Sequence, residues 1–245
     1  MAFDLNSITS TKKQRAPKMV LVGPNKIGKT TFAARAPASI GILTEDGAGA
    51  VDSNAFPLCQ SLTDVYSCIA TLLNEEHSYR TLYLDSLDWF EPMLHAHVCA
   101  SNRWSSIESP GFGKGYVAAT EQWRHMLAGL EALRNQKNMM IILIAHDKVK
   151  KLESPLHENY DTYTLKLHDK ASSVLLEWAD IVGYCTHKIM TRTVDIGFGQ
   201  KETKAITTGE RVLHLEPHPA HCAGNRLGLS DTALSWEAFS QELTK

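Results

Sequence analysis

Apolar residues in this chain come in short unbroken runs separated by stretches of helical spacing, and that rhythm predicts the order of the elements. Lys18-Met19-Val20-Leu21-Val22 suits a strand buried on both faces, and Thr31-Phe32-Ala33-Ala34-Arg35 continues as helix until Pro37 stops it. Ser39 to Thr44 reads as a second buried strand, ending in Glu45-Asp46-Gly47. A helix follows from about Leu62 to Leu73, with Thr63-Asp64 near its start, and Arg80 to Ser86 is an apolar strand closed by an acid. Residues 87–100 look helical, and 101–116 are loop by composition. A long amphipathic helix is expected from about Val117 to Asn135, with Trp123, Leu127, Leu130 and Leu133 on one side. Met139 to Ala145 is the clearest strand, closed by His146-Asp147-Lys148, and residues 147–167 are charged and expected to be mobile. Ser172 to Trp178 reads as helix and Asp180 to Cys185 as strand. Shorter strands follow through Val194, Ile206 and Val212 to Leu215, and a last helix starts near Ser235.

Alternating strands and helices early, then a β-rich stretch, predict an α/β fold. Its central sheet would be mainly parallel and flanked by helices, with a C-terminal antiparallel β extension. Residues 1–17 are polar and aperiodic, which makes them a flexible N-terminal arm. It is either a solvated tail or a segment that docks on a neighbouring subunit or nucleic acid. Residues 18–245 then form a single domain, a size that one core can hold.

Composition narrows the class. The chain has 245 residues, 43% of them hydrophobic and 21% charged, as in ordinary globular proteins. A formal net charge of −2 excludes a globally basic binder, so any nucleic-acid contact must come from a local patch or from loops. The five cysteines, Cys59, Cys68, Cys99, Cys185 and Cys222, have no paired spacing and no secretory pattern precedes them, which points to free thiols in a reducing cytoplasm. The longest apolar run, Met139 to Ala145, falls far short of the roughly 18 residues of a membrane span.

Gly23-Pro24-Asn25-Lys26-Ile27-Gly28-Lys29-Thr30, followed by Thr31, fits G-x-x-x-x-G-K-[ST], the loop that wraps the phosphates of a nucleoside triphosphate. The strand before it and the helix behind it are the context that the motif requires. Gly23 and Gly28 allow the amides to turn inward as an anion nest, Lys29 puts a charge on the outer phosphates, and the Thr30 hydroxyl is placed to ligate Mg²⁺. Asp85 closes the third strand in the Walker-B manner and would hold Mg²⁺ with Thr30. Glu45, at the tip of the second strand, is the candidate for orienting the attacking water, with Asp46 and a plain turn acid as competitors. His146 is either a sensor of the γ-phosphate or a polar residue leaving the core. His214, His218, His221 and Cys222 are ligand-type residues, but their spacing matches no zinc pattern and disfavours a metal there.

Together these residues carry a resemblance. The Walker A segment, Glu45, Leu84-Asp85-Ser86 and His146 look like the RecA-type ATPase core. More narrowly, the chain resembles small phage ATP-binding proteins linked to single-strand annealing and recombination. Gly113-Lys114-Gly115-Tyr116, Ile144-Ala145-His146 and Trp178-Ala179-Asp180-Ile181-Val182-Gly183 carry the narrower match. The resemblance covers about 17–230 and implies ATP and Mg²⁺ as cofactors. It also implies a ring or filament of identical subunits, with ATP at the interfaces and a cation supplied by a neighbour. Ala223-Gly224-Asn225-Arg226 is similar to the Lys-Asn-Arg segment that supplies such cations, so Arg226 is the candidate, or else a surface-loop arginine. Gly224 stands where a Lys is expected, and His146 where RecA has a Gln-bearing pattern. One trans cation fits weak or DNA-stimulated hydrolysis.

In the same family the loops after the third and fourth strands face single-stranded DNA, here about 101–116 and 147–167. Arg103, Trp104, Phe112, Lys114 and Tyr116 combine cations with stacking surfaces, as sequence-tolerant binding needs. Lys148, Lys150 and Lys151, with Tyr160 and Tyr163, repeat the combination, diluted by Asp147, Glu153, Glu158 and Asp161. Solvated loops are the alternative for both. The expected function is therefore a Mg²⁺-dependent ATPase that binds single-stranded DNA and promotes annealing or recombination in phage DNA metabolism. It would act in the host cytoplasm, without a membrane and with a single-strand binding protein as a possible partner. A nucleotide-gated assembly factor remains open because of the acidic balance. A small-molecule kinase is disfavoured because 147–168 contain no Arg, and a GTPase because no Asn-Lys-x-Asp segment occurs.

Overall fold

The computed structural model describes residues 15–47, 51–155, 158–197 and 200–245 with Asp4 and Gly49, and at 190–197 and 200–207 the backbone alone. Most of the expected N-terminal arm, residues 1–3 and 5–14, lies outside the described residues. Five strands run parallel: β1 (Lys18–Gly23), β2 (Ser39–Leu43), β3 (Thr81–Asp85), the first half of β4 (Met140–Leu152) and the start of β6 (Ile181–Gly197). In space they lie in the order β2-β3-β4-β1-β6, which puts β1 between two neighbours at the centre. Antiparallel β7 (Gln200–His214) and β9 (Thr232–Ala233) extend the sheet beyond β6, and β8 (Gly224–Asn225) pairs back onto β6. This is the α/β architecture expected from the sequence, a mainly parallel sheet with an antiparallel extension.

The alternation of side chains along the strands divides the core between the two faces of the sheet. Val20, Val22, Leu82, Leu84, Ile141 and Leu143 pack under α2 (Leu62–Asn74), α3 (Leu87–Asn102), α4 (Lys114–Lys137) and α5 (Asp169–Trp178). Met19, Leu21, Ile142 and Ile144 face the other way, against Phe32 of α1 (Lys29–Ala34) and Phe239 of α6 (Trp236–Leu243). Phe32 meets Phe239 and Trp236 edge-on, each at 5.5 Å between ring centroids. Such pairs contribute about 0.5–1.5 kcal/mol apiece, so the last helix braces the helix that follows the glycine loop. Helix α2 starts with a capping box, in which Ser61 Oγ accepts from the Asp64 amide and Asp64 Oδ2 accepts from the Ser61 amide.

Three expectations change. Helix α4 begins at Lys114 rather than Val117, so Lys114 and Tyr116 sit on a helix and the loop shrinks to 103–113. Within 147–167, residues 147–152 and 160–165 are strand rather than loop. Strand β4 continues to Leu152 and pairs antiparallel with β5 (Tyr160–Leu165), from Asp147 opposite Leu165 to Leu152 opposite Tyr160. The charged residues masked a period-two pattern of β-branched and aromatic residues, and buried Leu165 pins the hairpin to the core. Between Ile181 and His214 the shorter strands expected are two long ones, β6 and β7, paired antiparallel.

Candidate nucleotide-binding site

The glycine loop leaves β1 at the carboxyl edge of the parallel strands, where ligands of open α/β sheets bind. Its two glycines are needed for different reasons. A Cβ on Gly23 would stand 2.5 Å from the Cys185 carbonyl oxygen of the neighbouring strand. Gly28 has φ +111°, in the left-handed range, and opens α1 directly. Lys29 is buried, and its Nζ donates to the carbonyls of Gly23 at 2.7 Å and Pro24 at 2.8 Å. Burial pulls its ammonium below the ordinary lysine value, against the opposing fields of Cys185, Asp85, Asp147 and Asp88.

Thr30 Oγ1 donates to Asp85 Oδ2 at 2.6 Å, joining the loop to the end of β3. Burial raises the Asp85 carboxyl, and the nearby Glu45 charge adds to the rise, while the Thr30 bond and Lys29 oppose it. Both groups offer hard oxygens, and Mg²⁺ is held by one or two carboxylates together with substrate phosphates and water, so Thr30 and Asp85 fit that ion. Asp88, on the first turn of α3, accepts from the His146 amide at 3.1 Å, and its Oδ2 lies 2.7 Å from His146 Nδ1. Burial pushes Asp88 upward, but the His146 bonds and charge outweigh it and hold the carboxyl below its usual value. This pair fixes the imidazole at the end of the buried part of β4.

These groups enclose a cleft of about 500 Å³ lined by Asn25, Lys26, Gly28, Lys29, Thr30, Thr31, Glu45, Gly47, Val51, Asp85, Asp88, Trp89, His146 and Lys166. The expected loop residues, the metal pair and two of the catalytic candidates, Glu45 and His146, thus converge. A larger groove of about 720 Å³ between β7 and β9 has none of the phosphate-binding residues. Arg226 stands elsewhere. It donates to the Glu177 carbonyl at 2.6 Å and lies 3.7 Å from Asp180, at the amino end of β6 and away from its own chain's glycine loop.

Val51, Asp88, Trp89 and Lys166 of the cleft wall, and Arg211 beside it, were not singled out from the sequence. Asp88 and Trp89 were read only as part of the helix over 87–100, and Lys166 fell in the charged stretch. Arg211, on β7, donates from Nη1 to the Ile27 carbonyl at 2.9 Å and steadies the loop from outside. Nothing local marks an arginine 184 residues away from its partner.

None of the expected DNA contacts lines the cleft, and they fall on two segments. Arg103 is the exposed left-handed cap of α3, Lys114 is exposed, and Trp104 packs partly into the core. Tyr116 stacks on His168 at 3.8 Å and bonds Glu108, which brings the 103–116 segment against the end of the β4–β5 hairpin. Lys148 donates to the Leu167 carbonyl and lies 3.7 Å from Asp169, Lys150 pairs with Asp169 at 2.8 Å, and Lys151 is exposed. The histidines near the C terminus stack rather than converge on a point: His221 lies 4.8 Å from His214 and 5.2 Å from His218. Burial and the neighbouring His214 and His218 pull His221 down to about 4. Among the described residues no group of three or more His, Cys, Asp or Glu could hold a metal ion.

A glycine loop, a buried lysine, a threonine–aspartate pair and a carboxyl-edge cleft define a P-loop nucleotide-binding protein. The chain matches the AAA domain family over residues 15–227 and belongs to that family. Among curated proteins none matches significantly. Among solved structures it is similar to that of the RadB recombinase, with 15% sequence identity, 83% of each chain covered and a TM-score of 0.45. No helix among the described residues is long and apolar enough to cross a membrane.

Proposed function

We propose that this protein is a Mg²⁺-dependent ATPase that binds single-stranded DNA and promotes annealing or recombination in phage DNA metabolism. The observation that carries the reading is the cleft itself, in which Lys29, Thr30, Glu45, Asp85 and His146 share one wall-to-wall space. Lys29 and the loop amides hold the phosphates, Thr30 and Asp85 hold Mg²⁺, and Glu45 orients the attacking water. Bound Mg²⁺ supplies neutralisation of charge on the outer phosphates. His146, fixed by Asp88, reports the state of the cleft along β4 to the hairpin that carries Lys148, Lys150 and Lys151. Arg226 serves the cleft of an adjacent subunit in a ring or filament, which is consistent with its distance from its own. Arg103, Trp104, Lys114 and Tyr116 complete the DNA surface, and a single-strand binding protein is a plausible partner. The host cytoplasm is the place of action.

Fluorescence anisotropy of labelled single-stranded DNA, with and without Mg-ATP and across a salt series, tests the reading. It expects salt-sensitive binding that ATP strengthens and Lys29→Ala uncouples. Equal DNA affinity in the apo, ATP and ADP states would end it. A second reading, a nucleotide-gated assembly factor acting on a protein, is favoured by the engagement of Lys148 and Lys150 with Asp169 and by the acidic balance. It expects no DNA binding in any nucleotide state. A kinase lid has no support, since its place in the chain is taken by the β4–β5 hairpin.

A further inference from the structure

Charge in the cleft is not balanced by the cations that the motif supplies. Glu45, Asp85 and Asp88 bring three carboxylates to its walls. Lys29 is folded back onto two loop carbonyls, and Lys26 is an exposed residue of the loop itself, in the left-handed conformation at φ 63°. Arg226 lies away from its own chain's cleft, beside Glu177 and Asp180, and the position where a lysine would precede it is Gly224, so this chain's own cleft gains no cation from that segment. A triphosphate whose terminal group is to be transferred needs positive charge at that group, because negative charge spreads over its outer oxygens in the transition state.

Lys166 is the remaining cation on the cleft wall. It is exposed, and among the described residues its ammonium makes no ion pair or hydrogen bond. Its backbone is fixed where it matters: the Lys166 amide donates to the His146 carbonyl at 2.8 Å, and Leu165 just before it is buried opposite Asp147. A second recess of about 500 Å³ adjoins the cleft and shares Asn25, His146 and Lys166 with it, so Lys166 stands where the two meet. Pro24, Asp147 and Lys148 also line this recess, which places it between the crest of the glycine loop and the base of the hairpin; the Lys148 ammonium is engaged by the Leu167 carbonyl and Asp169, whereas that of Lys166 is not.

We infer that Lys166 supplies, from within the same chain, the cation that contacts the outermost phosphate of the bound nucleotide. The assignment rests on the nucleotide-binding reading above and adds to it a residue outside the P-loop. A lysine suits the role because a compact ammonium on a flexible stem can follow the phosphate without demanding planar geometry. Because Lys166 ends the β4–β5 hairpin, its contact also gives the hairpin a direct stake in whether a third phosphate is present.

The test is a comparison of ATP and ADP affinity in the full-length protein, using fluorescent N-methylanthraniloyl derivatives of both with Mg²⁺. Lys166→Ala is expected to weaken ATP by about tenfold or more, the loss of one charge-assisted contact, while ADP changes less than about twofold. Lys166→Arg should restore most of the ATP affinity. Equal weakening of both nucleotides, or no weakening of either, would overturn the assignment. Lys29→Ala separates the two levels of the argument. If it leaves both affinities intact, the nucleotide reading fails and Lys166 with it. If it abolishes binding while Lys166→Ala leaves the ATP to ADP ratio unchanged, only the assignment of Lys166 fails.

Discussion

Gly28→Ala is the substitution whose cost can be worked out atom by atom. At φ +111° an L-residue carries conformational strain of about 1–2 kcal/mol. The new Cβ would stand 2.5 Å from Arg211 Nη1, closer than atoms approach. That nitrogen is the free end of a flexible, exposed side chain, so the clash resolves by Arg211 swinging away. What is then lost is the 2.9 Å bond to the Ile27 carbonyl, worth about 0.5–1.5 kcal/mol at an exposed position. The two effects together predict a loss of about 1.5–3.5 kcal/mol of apo stability, measured by urea unfolding. The cycle with Arg211→Ala separates them. In that background Gly28→Ala should cost only the strain, leaving a coupling of about 0.5–1.5 kcal/mol. Additivity within about 0.3 kcal/mol would refute the Arg211 contact, and a neutral Gly28→Ala would refute the loop conformation. Gly23→Ala should be worse, since its Cβ meets the Cys185 carbonyl at 2.5 Å and backbone cannot swing aside.

Four further outcomes follow from the site. Asp85→Asn should stabilise the apo protein while abolishing hydrolysis. Its carboxyl is raised by burial, so the native state favours the protonated form, and that contribution is present below the unfolded pKa of 3.8 and lost as pH rises through the higher folded value. The advantage of the variant in thermal unfolding should therefore grow from pH 4 towards 7, and a gap constant with pH would contradict it. Thr30→Val, which removes the hydroxyl bonded to Asp85, should abolish Mg²⁺-dependent hydrolysis and cost about 1–3 kcal/mol in urea unfolding. Trp89, 54% exposed on the cleft wall, should change its fluorescence when Mg-ATP binds, and Trp89→Phe should remove that signal from the other four tryptophans. Lys150→Ala and Lys151→Ala should each lower the salt slope of single-stranded DNA binding by roughly one phosphate contact, with stability changed by at most about 1 kcal/mol.

The sequence showed the sheet and the phosphate loop because both are local. Buried parallel strands such as Met139 to Ala145 are unbroken apolar runs, and Gly23 to Thr30 is one contiguous motif. Glu45, Asp85 and His146 could be placed at one edge from the sequence because each ends such a run, and strand ends meet at the carboxyl edge, where all three line the cleft. The hairpin of β4 and β5 was missed because its inward residues are diluted by lysines and acids, so charge was read as disorder. The start of α4 was misplaced because Gly113-Lys114-Gly115 reads as a turn, yet Gly115 is packed where a Cβ would lie 1.8 Å from the Ile107 carbonyl. Asp88 and Arg211 could not be recognised, since their partners are 58 and 184 residues away and no pattern along the chain connects them.

Strand β4 does not stop where the sheet does. Its first six residues are buried, and from Asp147 to Leu152 the same strand runs on paired with β5, tied back by Tyr184 to Asp147 and by Lys148 and Lys150 to Asp169 of α5. Six further residues at about 3.3 Å each make an arm of roughly 20 Å hinged at the cleft. A tilt of about 5° at His146, small enough for packed side chains to absorb, would carry the tip about 2 Å sideways. Under the proposed function, sub-ångström adjustments around a phosphate would in this way reach Lys150 and Lys151 as displacements on the scale of a hydrogen bond.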